Sequence, residues 1–249
     1  MPASRARRRA RGAVRRSLLW PSVWAAVGFV LLIGLGTWQV QRLHWKEGLI
    51  AARQASFQLP PAPPPPSLAA AQRLEYHAVR AAGRFLNDRE MPVAAIAADG
   101  AAGYDIVTPF ALDNGKVLLV DRGFVPTALK APDTRRAGEI QGPTTVTGPL
   151  RLDLGRPSWF TPDNQPARNE WYFIDVGAMA VTVAPHVDVL PYYIDADATP
   201  NPGGWPKGGQ TAIDLPNHHL SYAITWYALA AGLVQIYAIF IRRQLKERA

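Results

Sequence analysis

The chain has 249 residues, a formal net charge of +8 and no cysteine. The absence of cysteine argues against copper carriers and thiol oxidoreductases, which act through thiolates. The positive charge is concentrated at the two ends. Residues 1–18 carry seven Arg and no acid, and residues 242–249 carry four basic residues and one acid, which leaves −2 for the rest. No basic stripe remains for nucleic acid, so we expect no nucleic-acid partner.

Two long tracts contain no Asp, Glu, Lys or Arg, at positions 17–41 and 215–241. About 20 apolar residues in a helix cross the ~30 Å hydrocarbon core of a bilayer, so each tract has sufficient length. We predict transmembrane helices at 18–41 and 216–241. Basic residues beside both spans follow the positive-inside rule. The rule predicts that the basic termini, 1–17 and 242–249, are cytoplasmic, with the intervening chain on the other side.

An Arg-rich start before an apolar tract also fits a cleaved signal peptide or a short mitochondrial transit peptide. The first apolar run exceeds the 7–15 residues of a signal peptide. It also ends in Gly36-Thr37-Trp38-Gln39, without an Ala-x-Ala cleavage site. Only two Ser precede Trp20, which argues against a transit peptide. We therefore interpret the tract as a membrane anchor.

The region 42–74 is predicted as a helix extension followed by a Pro-rich linker. Trp38, Gln41 and Trp45 follow helical spacing beyond the first span, and this pattern continues through Lys46. The proline run at 60–66 then favours extended polyproline geometry, which is typical of a stiff spacer.

Residues 75–214 contain short β-type runs separated by turn signals, which predicts a β-rich domain outside the cytoplasm. We expect an antiparallel, partly closed, barrel-like α+β fold. Asn114-Gly115 predicts a hairpin in which both residues adopt positive φ angles. A short helix is predicted at 176–184. The predicted strands are Tyr76–Phe85, Met91–Ile96, Tyr104–Leu112, Lys116–Arg122, Thr144–Leu152, Trp171–Asp175 and Leu190–Asp195.

The sequence motifs do not predict an enzyme. The common hydrolase, metalloprotease and nucleotide-binding motifs are absent, and we assign no catalytic residue. The Gly-rich stretch 202–210 is interpreted as a turn-rich connection into the second span. Asp121 and Arg122 are adjacent in a predicted strand and should point to opposite faces, which favours structural roles.

One face of the second span carries a histidine at its outer end. The residues of this face recur at spacings of 3 and 4: His219, Tyr222, Trp226, Ala230, Leu233 and Tyr237. His218 is rotated about 100° away. A neutral imidazole could bind a metal or haem iron, whereas an interfacial aromatic belt explains the same spacing without a ligand. The first span has a matching stripe, in which Gly34 would allow close helix approach. Its other members are Leu31, Trp38, Gln41 and Trp45.

Five segments occur in order along the chain. They are Gly36-Thr37-Trp38-Gln39-Val40-Gln41-Arg42 with Trp45-Lys46; Gly83-Arg84-Phe85; Val120-Asp121-Arg122-Gly123-Phe124-Val125-Pro126; Gly203-Gly204 with Gly208-Gly209-Gln210-Thr211; and His219-Leu220-Ser221-Tyr222-Ala223-Ile224-Thr225-Trp226-Tyr227. Together these segments resemble the Surfeit locus protein 1 family of cytochrome c oxidase assembly factors.

The resemblance implies a non-enzymatic factor that binds haem a transiently and helps deliver or insert it into subunit I of cytochrome c oxidase, near haem a synthase. It implies that His219 is the axial ligand of the haem iron. On this interpretation Tyr222, Trp226, Trp38 and Gln41 complete a lipid-facing haem site. The alternative is a structural scaffold for oxidase assembly without stoichiometric haem binding.

Ala- and Arg-rich usage and the short leader favour a bacterial inner membrane, with the β-rich domain in the periplasm. Membrane lipid is then a further partner. The chain departs from the family pattern in its long Pro-rich spacer and in the additional His218.

Overall fold

The computed structural model describes residues 3–153, 155–183, 187–211 and 217–246, with side chains from residue 18 onward. The chain divides into two compact units. One comprises Met1–Ala51 with Asp214–Ala249, and the other comprises Ala52–Ile213.

The described part of the first unit consists mainly of one long helix, α1 (Ala3–Gln58), as far as Ala51, and of a second long helix, α4 (His219–Lys246). By length and composition, Leu18–Gln58 and His219–Lys246 could each cross a membrane. Helix α1 ends just before Pro60, whose ring disfavours helical geometry in the residue preceding it. The predicted start of the second span at 216 lies outside the described residues.

Among its described residues, the second unit contains six strands and two short α-helices. Helix α2 spans Leu68–Gln72 and helix α3 spans Val176–Val183. The strands are β1 (Ala78–Phe85), β2 (Met91–Ile96), β3 (Ala102–Leu112), β4 (Val117–Pro126), β5 (Thr144–Arg151) and β6 (Val189–Asp195).

Five of these strands close into a barrel. The sheet order is β1-β5-β6-β4-β3-β2, and an additional β1–β3 pairing closes the ring. Strand β3 is long enough for this because one end pairs with β2 and the other pairs with β1. The β-rich domain is therefore confirmed. The described strands close fully rather than partly, and β4 and β6 pair in parallel while the other pairs are antiparallel.

Alternating residues divide the buried core into two clusters. The inner cluster fills the barrel, and Ala71 of α2 packs into it. The outer cluster lies between the sheet and α3, with Trp171 and Met179 buried in it. Strand β4 contributes to both faces, since Leu118 and Val120 belong to the inner cluster and Val117 and Leu119 to the outer one. This two-faced burial leaves few positions for polar side chains on the strands.

The Pro-rich segment, predicted as a stiff spacer, also contacts the barrel. Ala62 pairs with β1: its amide donates to the carbonyl of Ala78, and its carbonyl accepts from the amide of Arg80, both at 2.9 Å. The buried hydroxyl of Tyr192 donates to the carbonyl of Pro65 at 2.8 Å. Proline residues have carbonyl acceptors but no amide donors. The backbone of this segment therefore needs few hydrogen-bond partners, and the barrel surface supplies them.

Two local predictions are wrong. The hairpin between β3 and β4 turns with a positive φ at Gly115 alone, and not at Asn114. Segment 171–175 is not a strand, since Trp171 forms only an isolated bridge to Val93. The side chain of Asn164 accepts from the amide of Tyr172 at 2.8 Å. This side-chain bond takes the place of a strand partner.

Candidate functional site

The face of α4 that packs on α1 begins at His219. Ala223 and Ala230 are buried in this face, and Trp226 and Leu233 are half-buried. The predicted face is thus largely present, with Ala223 in the place that was predicted for Tyr222. The side chain of Tyr222 is instead 55% exposed at the protein surface.

Small residues of α1 allow α4 to approach closely. A Cβ on Gly36 would lie 2.6 Å from the ring of Tyr227, so only glycine fits there. Thr37 Oγ1 lies 3.2 Å from the Tyr227 hydroxyl. The prediction that Gly34 permits helix approach is wrong, because a Cβ there would meet no atom within 4 Å. The two helices meet through a different face of α1, which the small residue at position 36 selects.

His219 is oriented by a hydrogen bond across the two helices. Its Nδ1 lies 2.7 Å from Gln39 Oε1, and both residues are half-buried. An amide oxygen can only accept, so in the neutral imidazole this contact favours the tautomer with the proton on Nδ1, which leaves the Nε2 lone pair available. Within the described residues, Nε2 makes no hydrogen bond. His218 is exposed, and its carbonyl accepts from the hydroxyl of Ser221 at 2.8 Å.

Two of the other predicted site residues, Trp38 and Gln41, have exposed side chains on α1. Trp38 is 50% exposed, and the Gln41 side chain makes no hydrogen bond to any described residue. The residue that sequence reasoning missed is Gln39, which lies in the same segment as Gln41. The useful signal was Gly36, because Gln39 follows it by three residues and therefore shares its helix face.

The His219 side chain has the donor chemistry that a haem iron requires. A histidine ligand binds iron through one nitrogen and commonly donates its other N–H to a carbonyl or carboxylate. His219 and Gln39 have this arrangement. Exposed Tyr222 and half-buried Trp226 add aromatic surface to the same end of α4. The residues present therefore fit a haem group at Nε2 of His219.

A second polar site lies on the outer face of the barrel. Adjacent strands place Asp105, Asp121, Asp195 and Arg151 around a cavity of about 200 Å³. Arg151 Nη1 donates to Asp195 Oδ2 at 2.9 Å. Thr211 Oγ1 donates to the same oxygen at 2.7 Å. The described residues contain no group of three or more His, Cys, Asp or Glu arranged to hold a metal ion.

Burial raises the pKa values of these aspartates, and repulsion from neighbouring carboxylates adds to this for Asp105 and Asp121. Loss of solvent, and then the charge of Asp195, raise the pKa of Asp105 to about 6. Burial, followed by the charges of Asp105 and Asp195, raises the pKa of Asp121 well above its usual value. Burial also raises the pKa of Asp195, although Arg151 and Thr211 oppose that shift. All three carboxyls therefore ionise at a higher pH than a free aspartate.

Arg122 has a structural role on the opposite face, as its adjacency to Asp121 predicted. Its side chain is 1% exposed and donates to the carbonyl of Gly138. The guanidinium lies 4.4 Å from the centroid of the Phe85 ring. Glu139, whose Oε1 lies 4.0 Å from Arg122 Nη1, supplies the opposite charge. This buried, paired arginine holds the 3₁₀ segment Pro132–Gly138 and the residue after it against the barrel.

Gly123, the residue after Arg122, allows another part of the chain to approach β4 closely. Gly123 has a φ of +107°, and a Cβ there would lie 1.9 Å from the carbonyl oxygen of Lys207. The Gly-rich stretch 202–210 therefore packs against β4, where Phe124 and Lys207 form an isolated bridge. The sequence predicted only a turn-rich connection for this stretch, and the contact with β4 was not predicted.

Comparison with known proteins identifies the family. Residues 26–231 match the model of the SURF1 family. A SURF1-like protein of Monosiga brevicollis is 42% identical over 235 residues, covering 89% of this chain and 87% of that protein. Surfeit locus protein 1 of Mus musculus is 38% identical, covering 86% of this chain and 76% of its own length. The human protein is also 38% identical, with 82% and 71% covered. The chain belongs to the SURF1 family.

Proposed function

We propose that this protein is an assembly factor for haem a-containing cytochrome c oxidase, and that it binds haem a and assists its delivery to subunit I. Membership of the SURF1 family supports the assembly role. The single observation that supports haem binding is His219, whose Nδ1 lies 2.7 Å from Gln39 Oε1 while Nε2 makes no hydrogen bond to a described residue. Haem supplies the iron that bonds this nitrogen.

The chain's own residues then have separate tasks. His219 offers the bond to iron, and the apolar helices α1 and α4 keep the site in a hydrocarbon environment. In this proposal Tyr222, Trp226 and Trp38 offer aromatic surface to the ligand, and Gln41 offers an exposed amide. The protein binds and releases its ligand without acting as an enzyme. Haem a synthase and subunit I of the oxidase are the proposed protein partners.

The proposed location is a bacterial inner membrane with the barrel in the periplasm. The seven Arg of residues 1–18 and the four basic residues of 242–249 support this orientation through the positive-inside rule. Lipid is then in contact with the exposed apolar side chains of α1 and α4.

A structural scaffold is the second candidate function. One observation favours it: the contact of Gly36 with Tyr227 explains helix pairing without any ligand. A scaffold would bring oxidase subunits together and would bind haem a only at background level.

The test is a redox difference spectrum of the protein purified in mild detergent from a strain that makes haem a. We expect haem a in near-stoichiometric amount in the wild type. His219→Ala should lose most of it while still inserting in the membrane, because insertion depends on the apolar tracts.

His218→Ala is the matched control, since the neighbouring imidazole is exposed and contributes only its backbone to the helix start. It should keep nearly the wild-type haem content. Equal, mild effects of the two substitutions would refute the assignment of His219. Absence of haem a from the wild type would favour the scaffold.

A further inference from the structure

We propose that Gln39 is the positioning residue of the haem site: it fixes the tautomer and ring orientation of His219 and thereby sets the redox balance of the bound iron. This inference rests on the proposed function. It assigns to α1 a chemical part in a site whose ligand lies on α4. The observation is the 2.7 Å contact between Gln39 Oε1 and His219 Nδ1.

The geometry gives Gln39 a role that few other side chains could fill. A free imidazole in its neutral form can carry its proton on either nitrogen, so only part of the population presents Nε2 to a ligand. Because the Gln39 oxygen accepts from Nδ1, the Nε2 lone pair is held available. Half-burial of both residues strengthens this bond, since few water molecules compete for it.

The contact also ties the site to the packing of the two helices. Gly36 lies one turn before Gln39 and brings the ring of Tyr227 against α1. Gln39 therefore faces α4 at the end where His219 begins the helix. Gln41 is displaced by about 200° around the helix and is exposed, so it cannot replace Gln39.

The bond should influence the iron and not only the ring. A hydrogen bond from Nδ1 to an acceptor increases the basicity of the ligating nitrogen, which favours ferric over ferrous iron. Removing the acceptor should raise the midpoint potential, and a carboxylate in its place should lower it. A role in helix packing alone would not reverse sign between two substitutions at one position.

The first experiment needs no haem. In the full chain, labelled with ¹⁵N-histidine and studied in detergent at a pH where imidazole is neutral, the nitrogen shifts of His219 report its tautomer. His219→Ala identifies the signals. We expect the Nδ1–H form in the wild type and in Thr37→Val, which loses the contact with Tyr227 at 3.2 Å. Gln39→Leu should move toward the Nε2–H form. An unchanged tautomer in Gln39→Leu would overturn the proposal.

The second experiment uses haem a titrated into the same proteins, with affinity and midpoint potential as readouts. Loss of an outer-shell partner typically weakens a metal site about 10-fold to 100-fold, and we expect a decrease of at least about tenfold for Gln39→Leu. A tenfold change in the ferric-to-ferrous affinity ratio corresponds to about 59 mV. Gln39→Leu should shift the potential upward and Gln39→Glu downward, with Thr37→Val near the wild type.

The two hypotheses fail in different ways. If the wild type binds haem a and His219→Ala does not, but both Gln39 variants behave as Thr37→Val does, the positioning role is wrong and the proposed function stands. If the wild type binds no haem a, the proposed function fails, and the tautomer experiment still decides whether Gln39 orients His219.

Discussion

Replacing Gly123 by Ala should destabilise the barrel more than the same substitution at Gly115, where a Cβ would meet no atom within 4 Å. Gly123 adopts a φ of +107°, and a non-glycine residue in a sparsely populated region of this kind costs about 1–3 kcal/mol. Its Cβ would also lie 1.9 Å from the Lys207 carbonyl oxygen. The backbone at Lys207 must therefore move away from β4.

That movement breaks two further interactions. The amide of Phe124 donates to the carbonyl of Lys207 at 3.0 Å, and the amide of Lys207 donates to the carbonyl of Phe124 at 2.9 Å. Each such bond contributes about 0.5–1.5 kcal/mol net. With the backbone strain, the expected loss is about 4 kcal/mol, a large share of the ~5–15 kcal/mol by which domains are usually stable.

The assay is pulse proteolysis of the full chain in detergent across a urea gradient, which reports the free energy of unfolding of the barrel. Gly115→Ala is the matched control, because its φ is +82° but a Cβ there meets no atom within 4 Å. It should lose only the ~1–2 kcal/mol of left-handed strain. Equal losses in the two variants would refute the importance of the Lys207 contact.

Two shorter predictions concern the helical unit and its orientation. Gly36→Val should separate α1 from α4, measured as lost crosslinking between the helices, whereas Gly34→Val should not, because only Gly36 has the Tyr227 ring against it. In intact cells, an impermeant thiol reagent should label Asn114→Cys in the exposed hairpin turn but not Lys246→Cys; the native chain has no cysteine background. Crosslinking that is lost equally in both glycine variants, or labelling of Lys246→Cys alone, would contradict these expectations.

Most strands could be predicted because alternation of buried and exposed residues is a local signal. Strand β2 has the predicted bounds, Met91–Ile96, and α3 starts at the predicted Val176. Strand β4 was predicted to end at Arg122, but it continues to Pro126. The apparent stop at Gly123 reflects the approach of Lys207 from a distant part of the chain. Alternation carries no information about such a contact.

Barrel closure and the helix interface were harder to predict from the sequence, for a related reason. The β1–β3 and β4–β6 pairings join segments separated by long stretches of chain, and periodicity does not specify which strands pair. In α1 two glycines, Gly34 and Gly36, lie on different helix faces. The face with Gly34 was chosen for the interface, but the structure uses the face with Gly36, and helical spacing alone does not decide between them. Gln39 was missed for this reason.

The aspartate cavity gives the barrel an unusual dependence on pH. A carboxyl whose pKa is raised in the native state binds protons that the unfolded chain releases, so its stabilising contribution is complete below the unfolded pKa and is lost as pH rises through the native pKa. For Asp105 this window runs from 3.8 to about 6. At 1.36 kcal/mol per pKa unit the limit is about 3 kcal/mol, and partial exposure reduces it to about 1–2 kcal/mol.

The free energy of unfolding should therefore decrease between pH 5 and pH 7.5, with Asp121 and Asp195 acting in the same direction because burial also raises their pKa values. Asp105→Asn removes one of the three charges and keeps the shape of the side chain. It should flatten the profile in this window and be at least as stable as the wild type at pH 7.5, as measured by the same urea titration. The reasoning would be refuted if the wild type gained stability between pH 5 and pH 7.5, or if Asp105→Asn kept the wild-type slope, since repulsion among the buried carboxylates would then not be the cause.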